Sequence, residues 1–192
     1  MSKNIKRCKW AEGVNDAYIE YHDTEWGVPV RDDKVQFEFL VLEGAQAGLS
    51  WSTILNKRAG YRKAFCDWDI EKIARLNKRS VERLVKDPSI VRHRGKIEST
   101  VGNAKAALEL IEQHGSLDAY LWQFVEGKPV VNRFKKMSDA PAKTAVSDAM
   151  SKQLKKDGFK FVGSTICYAF MQAVGMVNDH LTNCPRWRAC QD

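Results

Sequence analysis

The stretch Leu154–Cys184, LKKDGFKFVGSTICYAFMQAVGMVNDHLTNC, constrains this chain more than any other. Its front half reads as a helix, a glycine-bounded hairpin and a second helix, and its back half ends in His180-x-x-x-Cys184. Glycine tolerates positive φ, so between Gly158 and Gly163 the chain can turn sharply and point backbone N–H groups outward. Those groups, with the N-terminus of a helix starting near Gly163, make a natural phosphate seat. Lys155, Lys156 and Lys160 add an attraction that weakens with salt. The same residues also fit an ordinary helical hairpin with a solvated lysine face. His180 and Cys184 are spaced i, i+4, which suits two ligands on one turn, and zinc takes two thiolates and two imidazoles in closed structural sites. The missing pair must come from elsewhere, and Cys8 and His22 at the opposite end are the candidates, with Cys190 competing. Two lone thiols and two ordinarily satisfied histidines are the alternative.

The remaining pattern is helical. Asp16 can cap a short helix that puts Tyr18, Tyr21 and His22 on one side. From Asp33 to about Gly48, Phe37, Leu40, Val41 and Ala45 follow helical spacing, and Phe39 and Leu42 fill other sides, so this helix is expected to be buried nearly all round. Ser50 caps a further helix, interrupted or strained at Gly60, and short helices follow over Ile70–Leu76 and Ser80–Val85. A long one spans Arg94–His114 with Gly115 as its stop, then another short one spans Leu117–Val125. The segment 126–146 loses the pattern; so long a connection is often functional or mobile. Ser147 or Asp148 caps the helix that leads into the opening stretch. With no internal repeat and no alternating strand pattern, the fold is read as all-α.

Composition narrows the class. A 44% hydrophobic and 10% aromatic chain of 192 residues is globular, and 31 Lys+Arg against 24 Asp+Glu gives +7, which favours a polyanionic partner such as nucleic acid. The N-terminus lacks the apolar core of a secretory leader, and Ile166–Val177, the most apolar run, is too short to span a membrane. Five cysteines without an export signal argue for a reducing, cytoplasmic setting, where cysteine is a thiol or metal ligand. Cys66 and Cys167 sit in helical contexts that read as core.

Glu43 follows a continuous apolar run and precedes Gly44, Ala45, Ala47 and Gly48. A carboxylate in such a helix is costly to bury without a partner, and the small residues leave room for a ligand or another backbone. Pairing with a nearby arginine is the other reading. Trp10, Tyr18, Tyr21, Trp26 and Trp51 are core-formers first, or else a stacking pocket for a flat cationic ring.

Together these pieces resemble the DNA-3-methyladenine glycosylase I family over essentially the whole length. The match rests on Cys8-x-Trp10, the run from Tyr18 through Tyr21-His22 and Trp26 to Pro29, Leu42-Glu43-Gly-x-Gln-Ala-Gly-Leu-Ser-Trp51, Arg92-His-Arg-Gly-Lys96, Gly158-Phe-Lys-Phe-Val-Gly163 and Val177-Asn-Asp-His180-x-x-x-Cys184. The resemblance implies one compact domain over 1–192 in two lobes, with a helix-hairpin-helix glycosylase fold whose hairpin lies at about 148–178. It implies one structural zinc held by Cys8, His22, His180 and Cys184, joining the terminal segments. It also implies excision of 3-methyladenine from alkylated double-stranded DNA, with Glu43, Tyr18 and Tyr21 as catalytic residues, Trp51 stacking on the base and Trp10 lining the pocket. Gly158, Lys160 and Gly163 would grip the DNA backbone, and Leu49 would fill the gap left by the flipped base. The family is understood to lack the catalytic Asp of related glycosylases; Asp179, the nearest candidate, adjoins a metal ligand. No lysine marks itself as a Schiff-base nucleophile, so a monofunctional, monomeric hydrolase without lyase activity is expected. A zinc-stabilised binding module would bind DNA but release no base, and an interaction protein would show no salt-dependent DNA affinity.

Overall fold

The computed structural model describes residues 6–191; residues 1–5, part of the N-terminus expected to lack the apolar core of a leader, and Asp192 of the tail lie outside the described residues. Its helices are α1 (Asp16–Thr24), α2 (Asp33–Gln46), α3 (Trp51–Ala64), α4 (Ile70–Ala74), α5 (Lys78–Leu84), α6 (Arg94–His114), α7 (Leu117–Trp122), α8 (Ala145–Lys156), α9 (Ser164–Ala173) and α10 (Arg186–Ala189). None of them is long and apolar enough to cross a membrane.

Local chemistry sets most of the boundaries. Asn15, Asp32, Ser50, Asp69, Asn77, His93, Ser116 and Thr144 each accept a backbone N–H from the first turn of the helix they precede. Such caps contribute about 1 kcal/mol each. Two expected caps are displaced. Asn15 rather than Asp16 starts α1, and Thr144 rather than Ser147 or Asp148 starts α8, with Ser147 answering it in a reciprocal capping box. In both cases the capping residue is the one with extended backbone, just outside the helix. Gly115, at φ 86°, closes α6 as expected.

Helix α2 runs through the middle of the molecule, with every residue from Gln36 to Ala45 buried. It is covered by α3, α6, α7 and α9. Burying Phe37, Phe39, Leu40 and Leu42 stabilises the fold by about 2 kcal/mol apiece. Helix α3 is unbroken at Gly60, contrary to expectation. A Cβ there would stand 2.3 Å from the Ser89 carbonyl oxygen, so the glycine admits a close backbone approach instead of a break.

The 126–146 connection is also more ordered than its sequence suggests. Val130–Val131 (β1) pairs in parallel with Val177–Asn178 (β2), in the register Val130 to Val177. The Trp187 indole donates to the Asn132 carbonyl at 2.7 Å, and the Thr182 amide to that of Phe134 at 2.9 Å. A two-residue ladder is too short to show alternation, which is why no strand was legible. Helices α8 and α9 then pack against each other across the turn at 157–163. Gly158 has φ 90°, but Gly163 is extended at φ −62°, and Phe161 supplies the second left-handed residue at φ 57°.

The exit from α9 is fixed by backbone bonds from Gly27 to Gln172 and from Val30 to Val174, each 3.0 Å. Gly175 sits there at φ 68°, and a Cβ on it would lie 2.3 Å from the Val28 carbonyl carbon. Gly175→Ala is therefore expected to lose about 3 kcal/mol of stability, read by urea denaturation, because left-handed strain adds to a clash with backbone that cannot yield.

Candidate active site and metal centre

Cys8, His22, His180 and Cys184 converge, all four buried, with one ligand atom from each lying within 4.8 Å of the others. Cys8 Sγ is 3.6 Å from His180 Nδ1, and Cys184 Sγ is 3.7 Å from both His22 Nε2 and His180 Nδ1. Tetrahedral bonds of the usual Zn–S and Zn–N lengths require sulfur-to-nitrogen separations of about 3.6 Å, so the donor set and its spacing fit zinc. Each imidazole is held from its other nitrogen: His22 Nδ1 faces Asp23 at 2.8 Å, and His180 Nε2 faces the Trp26 carbonyl at 2.8 Å. These outer contacts leave His22 Nε2 and His180 Nδ1 aimed inward, the arrangement that orients metal ligands. Arg7 in turn grips Asp23 through a fork at 2.7–2.9 Å. Hydrogen bonding first from Cys8, then from the two imidazoles, draws the Cys184 thiol far below its ordinary range. Cys190 is buried, receives Arg186 at 3.5 Å and is not among the four residues whose ligand atoms lie within 4.8 Å of one another. Cys167 is core, while Cys66 sits half-buried in a left-handed turn.

Trp10 joins this centre to an aromatic cluster. Its ring meets those of His22 and Trp26 edge-on at 5.0 Å and that of Tyr18 at 5.5 Å. Tyr21 lies 5.2 Å from Trp51 and is fully buried, whereas Tyr18 and Trp10 remain half-buried and form the rim. Burial, then the charge of Glu43, raises the pKa of both Tyr18 and Tyr21. The five residues singled out in the sequence are thus brought to one place.

Glu43 itself is 4% exposed, and burial alone pushes its pKa up to about 8. The arginine that might have paired with it is committed elsewhere: Arg58 binds Glu38 and Glu25, each at 2.8 Å. Helix α2 therefore buries two carboxyls, one neutralised by an arginine and one left without a charged partner. Trp51 Nε1 is likewise buried and unpartnered, a donor that a reading based on stacking had missed.

The other expected site residues are placed as follows. Leu49 is 40% exposed in the link between α2 and α3, close to the cluster in sequence but directed outward. Lys155, Lys156 and Lys160 are exposed on α8 and its turn. Asp179 is buried and fully engaged, accepting from Tyr168 at 2.6 Å, Gln172 at 2.8 Å and Asn132 at 2.7 Å. Lys96, quoted only as part of a motif, proves to be buried with its ammonium on the carbonyls of Ala45 and Ala47. Its signal was an unremarkable lysine at a helix start, which sequence reasoning assigns to solvent.

A family model described as methyladenine glycosylase matches residues 10–187. The DNA-3-methyladenine glycosylase 1 of Escherichia coli is 50% identical over 94% of this chain and 96% of its own length. The DNA-3-methyladenine glycosylase of Haemophilus influenzae is 47% identical over 93% and 96%. The fold is similar to that of 3-methyladenine DNA glycosylase I from Staphylococcus aureus, solved to explain 3-methyladenine recognition, with a TM-score of 0.91 at 36% identity, over 99% of this chain and 98% of that one. With a helical architecture in common and a family match across nearly all of its described residues, the chain belongs to the methyladenine glycosylase family.

Proposed function

We propose that this chain is a base-excision glycosylase that flips 3-methyladenine out of alkylated double-stranded DNA and releases it by hydrolysis. The observation that carries the reading is the unpaired Glu43 carboxyl beneath an aromatic cluster in a family of methyladenine glycosylases. A buried carboxyl without a cation is held at a cost of several kcal/mol, and a cationic base bearing an exocyclic amine is the partner that would repay it. Methylation at N3 gives adenine a positive charge and makes it a good leaving group, so much of the activation is already in the substrate. Glu43 accepts a hydrogen bond from the exocyclic amine, Trp51 stacks on the ring, and Tyr18, Tyr21 and Trp10 enclose it. When the glycosidic bond breaks, its electrons leave with the base and neutralise the ring; water supplies the new oxygen on C1′ and gives its proton to solvent.

Asp179 has its oxygens occupied by Tyr168, Gln172 and Asn132, which supports a route without an aspartate base. The Lys96 ammonium is committed to two carbonyls, which supports hydrolysis without lyase chemistry. The pair α8–α9 serves as the helix-hairpin-helix, with Gly158, Lys160 and Gly163 on the phosphates and Leu49 as the wedge. Cys8, His22, His180 and Cys184 would hold one zinc that supplies cross-linking of the chain ends and no chemistry of the reaction. One domain over 1–192, acting as a cytoplasmic monomer, completes the reading.

Incubating the protein with methylated duplex DNA and separating the released bases is expected to yield free 3-methyladenine; DNA binding without release would leave a binding module instead. Glu43→Gln is expected to slow release on the order of a hundredfold, and a full rate in that variant would remove Glu43 from the chemistry.

The same substitution predicts a stability profile. Glu43 titrates near 4.5 when unfolded and at about 8 when folded, so between those values the native state keeps a proton that the unfolded chain has lost. Stability then falls as pH rises through that window. Glu43→Gln should abolish this slope and be more stable than the parent above pH 8 by about 3–5 kcal/mol, measured as the difference between two urea-denaturation series. Elemental analysis should find one zinc per chain, lost in Cys184→Ser together with thermal stability and retained in Cys190→Ser.

A further inference from the structure

Helix α6 buries four polar side chains; Ser99 and Thr100 bond back to the Lys96 carbonyl within the helix, while Lys96 and Asn103 reach other elements. Lys96 is 9% exposed and Asn103 3%. They are seven positions apart, hence two turns along one face. Lys96 Nζ donates to the Ala45 carbonyl at 2.8 Å and the Ala47 carbonyl at 2.6 Å, at the C-terminal end of α2. These are groups that a helix end leaves without intrahelical partners, and a cation there also meets the negative end of the helix dipole. No carboxylate among the described residues shares this ammonium, and burial lowers its pKa. Asn103 does the equivalent at the hairpin: its Nδ2 donates to the Lys160 carbonyl at 3.0 Å, and its Oδ1 accepts the Lys160 amide at 2.8 Å.

Between these two attachments the hairpin turn touches α2 directly. A Cβ on Gly44 would stand 3.0 Å from the Phe161 carbonyl oxygen, a tight approach one residue after Glu43. Phe161 holds a left-handed backbone at φ 57°, a strained state that persists where neighbours fix it. Helix α6 thus grips the link that carries Leu49 with one side chain and the turn that carries Lys160 with another.

We propose that Lys96 and Asn103 are positioning residues that fix the Leu49 link and the hairpin at one spacing, so that gripping the phosphates and wedging the duplex occur in register. The inference rests on the glycosylase reading of the preceding subsection. Among the described residues the hydrogen bonds of both side chains go to backbone at the end of α2 and in the hairpin turn, and none goes to the aromatic cluster. A displacement of about 1 Å in such a frame costs on the order of a hundredfold in rate.

The experiment compares the parent, Lys96→Met, Lys96→Arg and Asn103→Ala. It measures single-turnover release from methylated duplex DNA and binding of free 3-methyladenine by quenching of tryptophan fluorescence. Lys96→Met and Asn103→Ala are expected to slow release about tenfold or more while binding the free base as the parent does. Lys96→Arg, which keeps donors at the carbonyls, should recover part of the rate. Release at the parental rate in Lys96→Met overturns the proposal, and so does an equal loss of free-base binding, which would make Lys96 a support of the pocket. Failure of the parent to release any base would instead refute the glycosylase reading itself.

Discussion

Burial of α2 on every side is the constraint from which the rest of this structure follows. Ten consecutive residues without solvent demand a complete sleeve of neighbours, and α3, α6, α7 and α9 supply it. Within that sleeve polar groups must find partners or carry a penalty. Gln36 reaches the Val30 carbonyl and Asp118, and Glu38 takes Arg58. Lys96 covers the carbonyls at the far end. Among the described residues Glu43 has no charged partner and the Gln36 Oε1 no hydrogen-bond partner, and burial raises the Glu43 pKa. A site that stores such a deficit is suited to a cationic ligand, since the ligand restores an interaction that the fold withholds.

The sleeve is closed by the two ends of the chain. Cys8 and His22 come from the first elements, His180 and Cys184 from the last, and their meeting places Trp10 against both His22 and Tyr18. Close approach is needed to achieve it: a Cβ on Gly27 would stand 3.0 Å from the His180 ring. Asp179, immediately before that histidine, ties the 126–146 connection to α9 through Asn132, Tyr168 and Gln172. The segment with the least regular sequence is therefore anchored beside the Cys/His cluster, and Trp10 lies between that cluster and the aromatic rim.

Much of this was legible before any coordinates. Helical spacing located α2 and α6, and the caps Ser50 and Gly115 were read correctly because capping is local chemistry, complete within four residues. The Cys/His quartet could be nominated from residue type, while its assembly depended on contacts spanning 172 positions between Cys8 and His180. Gly60, expected to interrupt or strain its helix, leaves it unbroken, and the reason for the glycine lies on Ser89, outside that helix. The parallel pairing of Val130 with Val177 left no trace in a two-residue pattern.

By itself, then, the sequence determined which segments are helical, that one of them is apolar all round and carries a carboxyl, and that thiols and imidazoles fit to hold a metal stand near both ends of the chain. Those properties are written in short-range spacing and residue chemistry. Only the tertiary structure decided which buried charges are paired. Arg58 went to Glu38 and Glu25, Lys96 went to carbonyls, and Glu43 was left alone, since pairing depends on which distant side chains the packing brings within hydrogen-bonding distance.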